Sequence, residues 1–368
     1  MKILFNLLLL LAASSIYSQT GLNGVIINKD TNEPIPFANI YITQLEKGTT
    51  SDENGNYKIT SIPNGTYKIV ISIIGYETLS QAIKVPYSGA LNFSLIPSAI
   101  EMEDIIISTP FHKLQSENVM KVEQETVANL KANGAVNLVD GITNIAGVES
   151  VTTGVGIGKP VIRGLSSNRV LVYTQGIRLE NQQFGDEHGL GINDAGIESV
   201  EVIKGPASLL YGSDALGGVL YLNPEKFASS NTSSGDVNGN YFSNTQGYNT
   251  NVGFKSSEEH FKFLFRGSLA EHSDYKTNDY RVTNTRFREQ DFKAGIGYQK
   301  NSFKTEFRYN LNHSKLGIPE EIGEQSTLRT PLLPYQDITN HIFSSKSVIY
   351  FNNSSLDINV GYISSAFA

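Results

Sequence analysis

Apolar and polar residues alternate over many short stretches of this chain, the pattern of β-strands with one buried face. In the N-terminal part the alternation is clear over residues 67–74 and 91–95. Turn signals rich in Gly, Pro, Asn and Asp punctuate this part at residues 30–34, 52–56, 63–65 and 87–89. About seven strands fit between them, so we expect one immunoglobulin-like β-sandwich over residues 19–97.

From about residue 235 the alternating stretches become longer. Over residues 261–269 and 303–311, Phe, Tyr and Leu alternate with charged or polar residues, so one face suits lipid and the other suits water. A soluble sandwich has the same alternation, so periodicity alone leaves both structures open. Short links near 256–259, 301–302 and 352–354 alternate with long links at 271–285 and 313–340, as in outer-membrane barrels.

We therefore expect residues 226–368 to form the first strands of a transmembrane antiparallel β-barrel. Plugged outer-membrane transporters close with about 22 strands, far more than the seven candidate strands here. We expect the sequence to be truncated and its barrel incomplete. The predicted fold class is mainly β: a sandwich, a mixed α+β domain and this partial barrel.

The first residues have the pattern of a cleaved secretory signal. Lys2 precedes an apolar run from Ile3 to Ala13, and small residues lead to a predicted end at Ser18. The run is too short to span a membrane as a helix, which takes roughly 20 residues. We expect export through the Sec pathway.

Composition removes several functions from consideration. The chain has no cysteine, which excludes disulfides, thiolate nucleophiles and cysteine-bound metal sites within it. Its net charge of -7 and the absence of a Lys/Arg cluster argue against a nucleic-acid partner. A phosphate loop is also excluded at Gly154–Lys159, because Pro160 stands where a Ser or Thr would hold magnesium. Neither a G-x-S-x-G nor an H-E-x-x-H motif occurs, so we expect no enzyme and no cofactor.

Three stretches of the predicted sandwich, at residues 24–40, 49–57 and 75–77, carry a family resemblance. They are similar to the carboxypeptidase-regulatory-like domain. The segment contains no His, so a catalytic zinc site with His ligands cannot form within it, and we expect an accessory module.

A linker at 98–110 follows, with the short β-branched run Asp104, Ile105, Ile106, Ile107 and Ser108. Such a run can add as a strand to the edge of another sheet, and it can equally be an ordinary first strand of the next domain. In position and composition it resembles a TonB box, the strand through which an inner-membrane energy-transducing protein pulls on outer-membrane receptors.

Four sequence blocks stand out within residues 111–225, at 138–148, 161–165, 169–178 and 197–219. Together and in this order they resemble the plug domain of TonB-dependent outer-membrane receptors. Gln175 departs from the pattern, since family members commonly carry an acidic residue in that turn. The residues expected to shape the plug are Arg163, Gly164, Gly205, Pro206, Tyr211, Gly212, Gly217 and Gly218.

One polar loop of this region is a candidate ligand site. Asp186, Glu187 and His188 combine two carboxylates with an imidazole, a set that suits zinc, copper or iron. The resemblance is to metal-importing receptors, some of which carry an Asp- and His-bearing plug loop here. A solvated loop is the alternative, because three adjacent residues need further ligands to complete a shell. His313 and His341 are candidates for those ligands.

The resemblance implies TonB-dependent import of a scarce nutrient across the outer membrane of a Gram-negative cell. We expect a metal ion, a metal chelate such as a siderophore, or haem. The expected partners are TonB, that ligand and outer-membrane lipid, with the N-terminal domains in the periplasm. The alternatives are a glycan importer of the same architecture and a non-transporting adhesion or signalling protein.

Overall fold

The computed structural model describes residues 20–98, 122–180, 189–300, 302–351 and 354–367. These residues form two compact units, the first built around the N-terminal sandwich and the second around a central domain and a sheet of long strands. Strands dominate both units, which confirms the mainly β fold class.

The N-terminal unit contains the expected seven-stranded sandwich. A three-stranded sheet in the order β4-β1-β7 faces a four-stranded sheet in the order β3-β2-β5-β6. Ile26, Ile40, Ile69 and Ile71 are fully buried between the sheets, because alternate residues of each strand point inward. The strands are Thr20–Asn28 (β1), Asn39–Ile42 (β2), Lys47–Thr50 (β3), Asn56–Ile62 (β4), Gly65–Ser72 (β5), Leu79–Val85 (β6) and Phe93–Leu95 (β7).

The central domain, residues 122–225, mixes strands with two short helices. Thr126 caps helix α1 (Val127–Ala132) by accepting from the Asn129 amide at 3.2 Å, and Asn137 caps helix α2 (Leu138–Ile142) in the same way. The strands are Val122–Thr126 (β8), Val148–Thr153 (β9), Ile157–Ile162 (β10), Val170–Thr174 (β11), Ile177–Leu179 (β12), Ile197–Ile203 (β13) and Gly218–Pro224 (β14). Five of them form a sheet in the order β12-β11-β14-β13-β8, while β9 and β10 form a separate hairpin.

Some of the residues expected to shape this domain lie at tight turns. Arg163 and Gly164 have φ of 54° and 75°, and Gly205 has φ of 76° where a 3₁₀ turn begins. A larger residue at position 218 would force the backbone to shift, because a Cβ on Gly218 would lie 2.8 Å from the Ile203 carbonyl oxygen. Tyr211 packs edge-on against Tyr173, with ring centroids 5.5 Å apart.

The long strands form one antiparallel sheet, here called the barrel sheet. Its seven strands pair in sequence order, and β15 and β21 are its two open edges. The strands are Thr232–Phe242 (β15), Gly247–Ser257 (β16), Phe261–His272 (β17), Phe287–Lys300 (β18), Phe303–Gly317 (β19), Tyr335–Tyr350 (β20) and Ser355–Phe367 (β21).

The long connections leave the barrel sheet at one end, called the long-loop end. They span residues 273–286 and 318–334. The second connection is shorter than the predicted link at 313–340, because β19 continues through Gly317 and β20 begins at Tyr335.

The two faces of the barrel sheet differ as the alternation predicted. Phe265, Phe292 and Phe307 are exposed on the outer face, while Arg266 and Lys293 are buried on the inner face against the central domain. The inner face is therefore polar although it is covered. No helix in the described part of the chain is long and apolar enough to cross a membrane.

Candidate functional site between the central domain and the barrel sheet

A cavity of about 550 Å³ lies at the long-loop end, between the central domain and the barrel sheet. The β9–β10 hairpin contributes Thr152, Gly154 and Val155 to its lining. The opposite side includes Phe242 and Tyr275 from the ends and loops of the barrel strands. This volume falls in the range of small-molecule sites.

The loops beside this cavity are fastened to one another. The side-chain amide nitrogen of Asn284, which has two N–H groups to donate, lies 2.7–3.0 Å from the carbonyl oxygens of Ile318, Leu332 and Pro334. Its amide oxygen accepts from the Leu332 amide at 2.8 Å. Asp274 is fully buried, pairs with the Arg286 guanidinium and accepts the Arg286 amide at 3.0 Å. The two long loops thus form a single preassembled rim.

Glu225, the first residue after β14, ties the end of the central domain to the barrel sheet. Its carboxylate accepts two hydrogen bonds from Arg266, at 2.8 and 3.0 Å, and lies 3.1 Å from the Lys255 ammonium. Arg266 also donates twice to Asp236 at 2.8 Å. Burial alone would raise the pKa of Glu225, but the hydrogen bonds and charges of Arg266 and Lys255 hold that pKa below its ordinary value. We call these four residues the anchor.

A second fastening holds the segment just before β13. Lys293 on β18 donates to the carbonyl oxygens of Asn193, at 3.1 Å, and Ala195. Glu289, four residues earlier on the same strand, accepts from the Asn193 side chain at 3.1 Å. Asp194 turns the other way and pairs with Lys131 of helix α1 at 2.6 Å. The segment therefore bridges the barrel sheet and the helix.

The predicted contact strand and metal loop lie outside the described residues. This holds for Asp104–Ser108 and for Asp186, Glu187 and His188. Within the described ranges, no group of three His, Asp or Glu side chains is close enough to hold a metal ion. The metal site stays a prediction.

The two histidines proposed as further ligands lie on the outer face of the barrel sheet. His313 contacts Asp337 at 2.8 Å, and His341 contacts the Tyr309 hydroxyl at 2.8 Å. Both occupy odd positions of the alternation, as Phe307 does, and so point away from the central domain. Because Asp186, Glu187 and His188 lie outside the described residues, a shared metal site with these two histidines stays a prediction.

The anchor and the Lys293 fastening were not predicted from the sequence. The alternation did place Arg266 opposite a phenylalanine face, which was the available signal that this charge points inward. It gave no indication of the partners, since Glu225 precedes Arg266 by 41 residues.

Two parts of the chain match known domain families. Residues 22–107 match the CarboxypepD_reg-like domain, and residues 115–219 match the TonB-dependent Receptor Plug Domain.

Similarity to curated proteins extends beyond one domain. TonB-dependent receptor SusC of Bacteroides thetaiotaomicron is 28% identical over 236 residues, which is 60% of this chain and 23% of SusC. Vitamin B12 transporter BtuB of Vibrio vulnificus is 29% identical over 128 residues, 33% of this chain and 21% of BtuB. The chain spans about a fifth of the length of these relatives. The relatives are receptors and transporters rather than enzymes.

Solved structures show the same fold. A ferric enterobactin receptor of Pseudomonas aeruginosa, in complex with enterobactin, superimposes with a TM-score of 0.52 at 14% identity. The match covers 66% of this chain and 41% of that receptor.

Proposed function

This chain belongs to the TonB-dependent receptor family, and we propose that it forms the N-terminal part of a gated importer in the outer membrane. In this proposal the plug region at residues 111–225, which contains the central domain, closes the barrel, and a nutrient enters through the cavity at the long-loop end. We propose the division that the sequence predicts, with a signal at 1–18, the sandwich at 19–97, the linker at 98–110, the plug region at 111–225 and the barrel at 226–368.

The observation that carries the proposal is the chemistry of the contact between the central domain and the barrel sheet. The anchor and the Lys293 fastening are polar and charged. Water can replace such contacts at a modest net cost, because each lost hydrogen bond is exchanged for one to water. A domain held by separate polar contacts can move in part under load, whereas one bound by a wide apolar face would be held throughout.

The proposed mechanism is mechanical. Residues Asp104–Ser108 pair as a strand with the periplasmic partner TonB, and that partner transmits force to β8, an edge strand of the central sheet. The cavity and the contact strand are two separate sites that act on one domain.

For the substrate we propose a metal ion, a metal chelate or haem, with Asp186, Glu187 and His188 as candidate ligands of a bound metal. A glycan importer of the same architecture remains the second candidate. It is kept because the similarity to SusC extends over 60% of the chain, against 33% for BtuB.

The test is the abundance of the complete receptor in outer-membrane fractions from cells starved separately of iron, zinc and copper, or supplied with oligosaccharides as the carbon source. Induction by one metal starvation, with a growth defect of the deletion strain in that medium, supports metal import. Asp186→Asn and His188→Gln are then expected to weaken binding of that metal. Induction by oligosaccharides alone overturns metal import in favour of the glycan importer.

A further inference from the structure

The β9–β10 hairpin meets the barrel sheet through an apolar contact. Ile157 is fully buried in a cluster with Ala270, Phe287, Leu316 and Ile338, all four on barrel strands. This cluster is separate from the main core of the central domain. The tip of the hairpin is thus packed on the barrel sheet, and Asn137, which caps helix α2, ties it to its own domain by donating to the Val155 carbonyl oxygen at 2.6 Å.

The approach at this contact is very close. A Cβ on Gly156 would lie 2.9 Å from the Cβ and Cγ atoms of Phe287, so the hairpin backbone rests directly on that ring. On strand β17, the His272 imidazole stacks on Phe287 with centroids 4.5 Å apart and planes 8° from parallel. Thr245 and Asn249 hold the two His272 ring nitrogens at 2.8 and 2.7 Å. The Phe287 ring is therefore held in place by its neighbours on the barrel sheet.

The hairpin has turn residues at both of its ends. Gly147 has φ of 74° just before β9, and Arg163 and Gly164 have φ of 54° and 75° just after β10. A positive φ is uncommon for a residue with a side chain, so Arg163 marks a tightly determined turn. Residues at element ends are the positions that absorb backbone rotation when an element moves.

The same tip lines the cavity. Thr152, Gly154 and Val155 face its volume, while Ile157 faces Phe287. An occupant of the cavity would touch the segment that is docked on the barrel sheet. Displacement of the tip would extend the cavity along the inner face of the sheet.

We propose that the hairpin tip, residues 153–157, is the gate of the cavity and that it opens by leaving Phe287. This inference rests on the proposed function. The rest of the central domain stays attached during opening, through the anchor and through Ile177, which packs closely against Gly361 of β21. The gate is a local movement, distinct from displacement of the whole domain.

Cysteine labelling tests the proposal without knowledge of the nutrient, and this chain offers a clean background because it has no cysteine. Ile157→Cys and Ile177→Cys are introduced separately into the complete receptor, with any other cysteines removed. Cells with and without tonB are treated with a membrane-impermeant maleimide. Outer-membrane abundance shows that each variant folds.

We expect Ile157→Cys to react about tenfold faster in cells that have tonB, because opening exposes a buried position. Ile177→Cys is expected to react equally in both. An equal rise at both positions overturns the gate in favour of whole-domain movement. No rise at either, in a receptor that still co-purifies with TonB, also overturns it. A receptor that does not bind TonB at all contradicts the proposed function itself.

A disulfide provides a second measurement. A Cβ on Gly154 would lie 3.4 Å from Thr285 Cγ2 and 3.6 Å from Thr285 Cα, close enough for a bridge between Gly154→Cys and Thr285→Cys. In the medium that requires the receptor, oxidation is expected to stop growth and a reductant to restore it. Unchanged growth of the cross-linked strain contradicts the gate, and the pair Ile177→Cys with Gly361→Cys is the control that should remain permissive.

Discussion

The anchor gives the sharpest quantitative prediction. Replacement of Glu225 by Gln removes the charge that accepts two hydrogen bonds from Arg266. Both side chains are largely shielded, with 13% and 8% of their surfaces exposed. The change leaves Arg266 without its central-domain partner while Asp236 on β15 still holds it.

The size of the effect follows from this geometry. Loss of one partner from a buried ion pair costs about 3–5 kcal/mol. Because Asp236 still compensates Arg266, we expect the lower end, about 3 kcal/mol. Each 1.4 kcal/mol corresponds to a factor of ten, so opening of the attached segment should become roughly a hundredfold more frequent.

Hydrogen exchange followed by mass spectrometry measures this opening in peptides from residues 189–226. The matched control is Glu198→Gln, which breaks the nearby pair with Lys226 at 2.8 Å. That pair is exposed on both sides, so its loss should change exchange by less than about fivefold. Exchange in Glu225→Gln that is no faster than in Glu198→Gln would refute the anchor.

Three further predictions concern the same interface and its rim. The pKa of Glu225 in the folded protein is depressed, so its contribution to stability is present above the ordinary glutamate pKa and is lost as pH falls through the depressed pKa. The urea concentration at the unfolding midpoint of the central domain should therefore decrease when the pH is lowered below about 4, and should decrease less in Glu225→Gln. Gly253→Ala should displace Arg266, since the new Cβ would lie 2.3 Å from the guanidinium, and should speed exchange in residues 189–226, whereas Gly267→Ala meets nothing within 4 Å and should not. Asn284→Ala should speed exchange in loop 318–334 by about tenfold or more, because that loop loses its hydrogen bonds to the Asn284 side chain. An equal effect of Asn278→Ala, at an exposed position of loop 273–286, would contradict that assignment.

Much of the architecture was predictable because it depends on local alternation. The seven sandwich strands follow from period-two burial and turn residues, and the polar inner face of the barrel sheet follows from the same rule. These features need only neighbouring residues. The four ordered blocks of the central domain were recognised instead through their resemblance to the plug-domain family.

The contacts at the site were not predictable, because they join residues distant in sequence. Lys293 meets a segment about 100 residues away, and Ile157 meets four strands that follow it. The face on which His313 lies follows from the alternation of β19, but its contact with Asp337 on the next strand does not. The apolar patch around Phe287 also breaks the rule that the inner face is polar, and alternation cannot foresee such an exception.

The most direct test of the central claim is uptake by a receptor whose contact strand cannot pair. Ile106→Pro removes a backbone donor from the predicted strand Asp104–Ser108, while Ile106→Val keeps both the donor and the β-branched shape. Both variants are compared for abundance in the outer membrane and for growth in the medium that requires the receptor. We expect normal abundance of both variants and loss of growth only with Ile106→Pro. Growth of Ile106→Pro cells equal to that of Ile106→Val cells would contradict a TonB-driven importer.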